Sequence, residues 1–260
     1  MSKKNQRKRN AAYSVSQNFL TSSKIISRLL RLTSVCGDDY VIEIGAGKGH
    51  ITRELAKVCK NVSAFEIDGK LLAQLQKSLG STNNVKLNHC DFLKASLPKS
   101  GAYKVFSNIP FSITSDILRK LTAHNNPPQE AWLVMEKGAA KRFIGSQHDT
   151  LASLLIKPFF NAKIIYRFSQ KDFHPAPSVD VVMLYLMKKA NPDIPVGQRK
   201  DFCNFVEKSI KYGIYWKLSK RQVTTALRLA GLPHIKESST ILYIQWLCLF
   251  RCYRQLYGGS

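Results

Sequence analysis

Two hydrophobic periods alternate along residues 22–190. Short apolar runs, each closed by a glycine or a polar residue, occur at Tyr40–Ile44, Val62–Ile67, Val85–Asn88, Lys104–Ser107 and Ala131–Met135. Between and around them, apolar residues recur at three- and four-residue spacing over Ser23–Val35, Gly49–Cys59, Gly69–Leu79, Ser115–His124 and Thr150–Phe159. Later stretches rich in β-formers lie at Lys163–Phe168 and Val179–Leu186. The alternation predicts an α/β, Rossmann-like architecture: a parallel sheet of βαβ units covered on both faces. The pattern changes at Ala190–Gly197, where Pro192, Pro195 and Gly197 mark a linker. Beyond it Arg199–Tyr212, Ser219–Ala230 and Ile244–Tyr257 have helical periodicity, which predicts a small all-helical C-terminal domain. The expected organisation is an arm at 1–15, a main domain at 16–190 and a helical domain at 191–260.

Composition adds a partner class. The chain has 260 residues, 44% of them hydrophobic, enough for a core and too many for a disordered basic tail. Its 40 Lys+Arg against 17 Asp+Glu leave a net charge of +23, which points to a polyanion, either nucleic acid or a membrane surface. The longest uncharged bulky run, Ile241–Phe250, is about half of what a spanning helix needs. Met1–Asn10 carries Lys3, Lys4, Arg7, Lys8 and Arg9 with no acid, and no apolar stretch follows as in a secretory signal. It reads as a basic arm of a cytoplasmic protein, either a phosphate-tracking or a merely solubilising one. Six scattered cysteines without a CxxC pair read as reduced thiols, and no metal site is expected.

The chemistry starts at Val41-Ile-Glu-Ile-Gly-Ala-Gly-Lys-Gly-His50, a buried strand entering a glycine turn and then a helix. The dinucleotide pattern GxGxxG fails because His50 takes the sixth place, and the phosphate-loop pattern fails as well. Gly45, Gly47 and Gly49 instead suit a ligand that approaches the backbone closely without a pyrophosphate. Glu66 follows Gly45 by 21 residues, about the spacing at which a carboxylate reaches a ribose. Asp91, at the end of the next strand, suits an adenine amine. Three strand ends converging on one nucleoside without phosphate point to S-adenosyl-L-methionine. Ser107-Asn-Ile-Pro-Phe111 ends the fourth strand. An adenine amine is a poor nucleophile, and a site that methylates it must hold it with acceptors as positive charge develops. Asn108 offers a side-chain carbonyl, Ile109 a backbone carbonyl oriented by Pro110, and Phe111 a flat face for the base. Phe173, before the turn His174–Pro177, is expected to cover the other face of an extruded base.

These segments resemble the ribosomal RNA adenine N6-methyltransferases, and among them the Erm type, which modify an adenine of 23S rRNA. The resemblance is carried by Gln17-Asn-Phe-Leu20, Glu43–His50, Glu66-Ile-Asp68, Cys90-Asp-Phe92, Asn108-Ile-Pro-Phe111 and Phe173–Val179, in the family's order. It implies a class I methyltransferase sheet. It also implies S-adenosyl-L-methionine at Asn18, Leu20, Gly45, Gly47, Glu66, Ile67, Asp91, Phe92 and Asn108. The target adenine would meet Asn108, Pro110 and Phe111, with Phe173 beside it. The sister group, the small-subunit rRNA dimethyltransferases, usually has Asn-Leu-Pro-Tyr where this chain has Asn-Ile-Pro-Phe, and Leu218–Leu227 is more like the Erm tail. Many Erm proteins carry Tyr where this chain has Phe111, so stacking is retained without a hydroxyl. The Erm reading implies resistance to macrolide, lincosamide and streptogramin B antibiotics, with 23S rRNA modified before ribosome assembly by a monomer. A small-subunit target is the alternative within the family. A non-catalytic RNA-binding or assembly factor is the alternative outside it, and it would be expected to show a degraded site. RNA phosphates are expected at the arm and at Lys217, Lys220 and Arg221; the interleaved Tyr212, Tyr215 and Trp216 either stack on unpaired bases or, as the preferred reading, fill the core of the small domain.

Overall fold

The computed structural model describes residues 18–145, 148–235 and 241–258. By packing, the chain divides into two compact units. The first comprises Met1–Ala140 with Lys163–Lys188, and the second Lys141–Ala162 with Lys189–Ser260.

A seven-stranded mixed sheet runs in the order β4-β3-β2-β5-β6-β9-β7. Its strands are β2 (Tyr40–Ile44), β3 (Asn61–Glu66), β4 (Val85–His89), β5 (Lys104–Asn108), β6 (Glu130–Glu136), β7 (Phe160–Arg167) and β9 (Val181–Lys188). β2 through β6 are parallel neighbours; β2, β3, β5 and β6 are buried on both faces, while β4, at the sheet edge, is partly exposed. The sheet is not parallel throughout, because β9 pairs antiparallel with β6, Glu130–Glu136 against Val181–Met187. A strand buried on both faces is an apolar run whichever way it points, so its direction is not written in its composition. Two further strands, β1 (Phe19–Leu20) and β8 (Phe173–His174), pair with each other antiparallel.

One sheet face presents Val41, Val62, Ala64, Phe106, Trp132, Val134 and Met183. They share a core with Ile26, Leu29 and Leu30 of α1 (Ser23–Leu30), Ile51 and Leu55 of α2 (His50–Ala56), and Leu75 and Leu79 of α3 (Gly69–Leu79). The alternate strand positions, Ile42, Ile44, Val105, Leu133, Val182 and Leu184, are equally buried. α4 (Thr114–Ala123) buries Ile117, Leu118 and Leu121. The predicted helix over Ser23–Val35 stops at Leu30, where Leu32 and Thr33 turn their N–H groups to the carbonyls of Leu29 and Leu30. Leu32 is half exposed there, so the apolar stripe no longer meets the core. α5 (Lys137–Ile144) follows β6 without a loop and has no punctuating residue to announce it.

The second unit contains α6 (Leu151–Ile156), α7 (Arg199–Tyr212), α8 (Lys220–Leu229) and α9 (Tyr243–Tyr257). Phe202, Phe205, Trp246 and Phe250 fill its interior, with Phe202 edge-on to Phe250 at 5.2 Å between centroids. A reciprocal cap starts α8: Ser219 Oγ accepts from Gln222 N at 3.2 Å, and Gln222 Oε1 accepts from Ser219 N at 2.8 Å. No helix among the described residues is long and apolar enough to cross a membrane.

Candidate active site

In an open α/β sheet a ligand crevice forms beyond the carboxyl ends of the strands, where the strand order reverses. Here that point lies between β2 and β5. Ser107 joins the two strands there: its Oγ accepts from Ile44 N at 3.2 Å and donates to Ile44 O at 2.5 Å. A cleft opens beside it.

The glycine turn forms one wall. Gly47 has φ +56°, and a Cβ there would stand 2.6 Å from the Phe19 ring, so only glycine lets the loop lie against β1. Its N–H donates to Glu66 Oε2 at 2.7 Å, while Asp68 N donates to Glu66 Oε1 at 2.8 Å. Glu66, at the end of β3 and nearly buried, is therefore fixed by two backbone donors, and each oxygen keeps acceptor capacity. Beyond β4, Asp91 Oδ1 accepts from Leu93 N at 2.9 Å. Phe92 is buried and stands edge-on to Phe65 at 5.4 Å. Lys120 of α4 braces this loop: its Nζ donates to Leu93 O at 2.9 Å, also bonds Ala95 O, and lies 5.3 Å from the Phe92 ring centre. Burial lowers the pKa of Lys120, and the Asp91 charge works against that shift.

Asn108 ends β5 on the opposite wall. Its Nδ2 donates to the backbone carbonyl of Asn18 at 2.7 Å. That bond turns Oδ1 the other way, and Oδ1 is buried without a hydrogen-bond partner. An unmet acceptor in a cleft is a costly arrangement in a fold, and it marks a place where a donor is wanted. Pro110 then sets the turn, and Phe111 begins a short 3-10 helix with its ring packed partly against the core.

The cleft thus brings together Asn18, Gly45, Gly47, Glu66, Ile67, Asp91, Phe92, Asn108, Pro110 and Phe111. Leu20 and Phe173 are placed otherwise. They are partners in the β1–β8 pairing, both are buried, and Phe173 packs on Phe168 at 5.2 Å. Lys3, Lys4, Arg7, Lys8 and Arg9 lie outside the described residues, whereas Lys217, Lys220 and Arg221 are exposed on the second unit. Phe19 and Cys90 line the cleft too, and they were legible only as neighbours of Asn18 and Asp91. Among the described residues, no three His, Cys, Asp or Glu side chains converge as a metal site.

Glu43, two residues before the glycine turn, is fully buried and accepts from Thr52 Oγ1 at 2.6 Å. Burial pushes its pKa up to about 8; the Thr52 bond opposes the rise and the Glu66 charge adds to it. The cleft therefore offers carboxylate acceptors at one end and an unmet amide carbonyl beside an aromatic ring at the other. Hydroxyls and amines suit such a lining, and a phosphate would be repelled by it. S-adenosyl-L-methionine, whose adenosine carries hydroxyls and an amine but no phosphate, fits these donors and acceptors, with Gly47 allowing close approach.

Comparison with known proteins gives the same picture. The family described as "Ribosomal RNA adenine dimethylase" matches residues 8–240. An rRNA adenine N-6-methyltransferase of Limosilactobacillus reuteri is 35% identical over 239 residues, which is 92% of this chain and 95% of that protein. The protein of that name from Staphylococcus aureus (strain Mu50 / ATCC 700699) is 35% identical over 238 residues, with 92% and 95% covered. Among solved structures, the 23S rRNA methyltransferase ErmE superposes with a TM-score of 0.77 at 26% identity, covering 90% of this chain and 99% of that one. A dimethyladenosine transferase of Plasmodium falciparum shares the fold, with a TM-score of 0.71 at 18% identity over 91% and 98% of the two chains. The match over most of the chain and the nucleoside-shaped cleft lead to one conclusion: this protein belongs to the ribosomal RNA adenine dimethylase family, whose members methylate rRNA adenine with S-adenosyl-L-methionine as cofactor.

Proposed function

We propose that the protein methylates N6 of an adenine in 23S rRNA and thereby confers macrolide, lincosamide and streptogramin B resistance. The unmet Asn108 carbonyl beside Phe111 supports the chemistry. The likeness to ErmE supports the large-subunit target over the small-subunit one. Protein-free 23S rRNA, met before ribosome assembly by a monomer, is the proposed substrate, and the enzyme works in the cytoplasm.

When bound, the cofactor supplies a methyl group activated by a sulfonium centre. Glu66 accepts from the ribose hydroxyls with the oxygen lone pairs that Gly47 and Asp68 leave free. Asp91 accepts from the cofactor's adenine amine, against the Phe92 ring. The remaining cofactor contacts are Asn18, Gly45, Gly47, Ile67 and Asn108, and Leu20, buried in the β1–β8 pair, supports that wall from within rather than touching the cofactor. At the far end, Asn108 Oδ1 accepts one N6 proton of the target adenine, and the Ile109 carbonyl, set by Pro110, accepts the other. These acceptors draw the amine lone pair out of ring conjugation, and Phe111 holds the base by stacking. No strong base is needed, because the nitrogen becomes acidic once it is alkylated. Phe173 acts from beneath through the β1–β8 pair, supporting the segment that holds Asn108. The arm (Lys3, Lys4, Arg7, Lys8, Arg9) with Lys217, Lys220 and Arg221 neutralises RNA phosphates, which positions the substrate without reading its sequence.

Incubation with labelled cofactor and, separately, protein-free 23S and 16S rRNA tests the reading. Label at adenine N6 of 23S rRNA is expected. Label confined to 16S rRNA would assign the small-subunit target, and no label in either would support a non-catalytic role.

A further inference from the structure

The second unit carries a surface that the cleft does not account for. α7 ends at Tyr212 because Gly213 takes φ +85°, and the chain continues into a 3-10 turn, Ile214–Trp216. Ile214 is buried, but Tyr215 is 47% exposed. Trp216 is held in place by its Nε1–H, which donates to Ser209 Oγ at 2.9 Å. Its ring lies 6.0 Å from Tyr253, which in turn lies 5.1 Å from buried Phe205 and 5.8 Å from Tyr257. A ladder of rings thus climbs from the core to Tyr257, itself 47% exposed.

Lysines edge these rings. Lys208 Nζ stands 5.2 Å from the Trp216 ring centre, Lys217 5.9 Å from Tyr257 and Lys220 6.0 Å from Tyr215. None of the three forms an ion pair among the described residues. Each of the three rings has a lysine ammonium 5.2–6.0 Å from its centre, so aromatic faces and positive charge alternate at this surface. Flat faces alternating with free positive charge suit a chain of flat anions, that is, bases joined by phosphates. A duplex hides its base faces, so the matching form is single-stranded.

We propose that Tyr215, Trp216 and Tyr257, with Lys208, Lys217 and Lys220, form a binding surface for an unpaired RNA strand. Bases stack on the rings and phosphates sit at the lysines. The ligand class rests on the rRNA-methylating reading above.

Full-length protein is titrated into a labelled short oligoadenylate and, separately, a blunt RNA hairpin of similar charge. Leucine at both exposed tyrosines (Y215L with Y257L) should weaken oligoadenylate binding by about tenfold or more while the hairpin affinity stays within about twofold. Phenylalanine at both (Y215F with Y257F) should bind as wild type, which separates stacking from loss of fold. Glutamine at Lys208 and Lys217 should lower the slope of log affinity against log salt by about 1.4, roughly 0.7 for each phosphate contact. The proposal is overturned if the leucine variant keeps wild-type affinity for oligoadenylate, if it loses both RNAs equally, or if oligoglutamate competes as well as oligoadenylate does. A wild-type enzyme that leaves 23S rRNA unlabelled, yet loses oligoadenylate binding on leucine substitution, would sink the 23S reading and leave the surface standing.

Discussion

Glu66 and Asn108 face the same cleft and are prepared in opposite ways. Both Glu66 oxygens already have backbone donors from Gly47 and Asp68. Asn108 has its amide nitrogen anchored on Asn18 and its carbonyl left without a donor. The cofactor end is thus organised by the fold alone, and a ligand adds to bonds already made. The acceptor end keeps an unmet demand, and the protein bears that cost until a donor arrives. The contrast separates affinity from catalysis: losses at Glu66 should appear in cofactor binding, and losses at Asn108 in the rate.

The largest expected effect is at Asn108. Asn108→Ala should lower kcat by about a hundredfold to a thousandfold, the usual loss for a preorganised transition-state contact. Cofactor affinity by calorimetry should change little, and comparable kcat in mutant and wild type would erase the contrast. Glu66→Ala should raise the cofactor Kd by roughly tenfold to a hundredfold, the range for a charged hydrogen-bond partner. Gly47→Ala tests the backbone that holds Glu66. Its positive φ and its contact with Phe19 should cost roughly 1–3 kcal/mol of strain, read as about a tenfold weaker cofactor Kd. If this variant lowered kcat alone, the loop would belong to the acceptor end instead.

Smaller effects sharpen the comparison. Phe111→Leu should raise the KM for RNA by up to about tenfold through lost stacking, whereas Phe111→Tyr should behave as wild type. Glu43 lies beneath the organised end. Its pKa is raised from 4.5 to about 8, so the folded protein keeps a proton that the unfolded chain releases. Its neutral form contributes fully below about pH 4.5, and that contribution is lost as pH rises towards 8. Glu43→Gln should therefore melt several degrees above wild type near pH 9 and alongside it near pH 4, with the gap opening between. Parallel melting curves at all pH values would show that Glu43 is not held neutral.

The sequence was most readable where local chemistry decides structure. The strand ends at Ile44, Glu66 and Asn108 are marked by an apolar run meeting glycine or a polar residue, and the cleft gathers at those ends. The periodicity over Ser219–Ala230 matched α8 in the same way. What escaped was set by partners far along the chain. Nothing near Asn108 says that its amide will bond Asn18, 90 residues away. Nothing in Val181–Lys188 gives its antiparallel sense, since both faces are buried either way. Phe173 reads as a cover for an extruded base before a turn, yet pairing with Leu20 carries it into the core. Segment Lys141–Ala162 gives no sign in its own residues that it clusters with the C-terminal unit.

The β1–β8 pairing has a consequence for the order in which the protein is made. The carbonyl that orients the Asn108 amide belongs to Asn18, at the entry to β1, and β1 has its hydrogen-bonded partner only in Phe173–His174. During synthesis the glycine turn, Glu66, Asp91 and Asn108 all leave the ribosome before that partner exists. The nascent chain can therefore form the glycine turn with Glu66 first, and it sets the methyl-accepting end only after His174 has emerged.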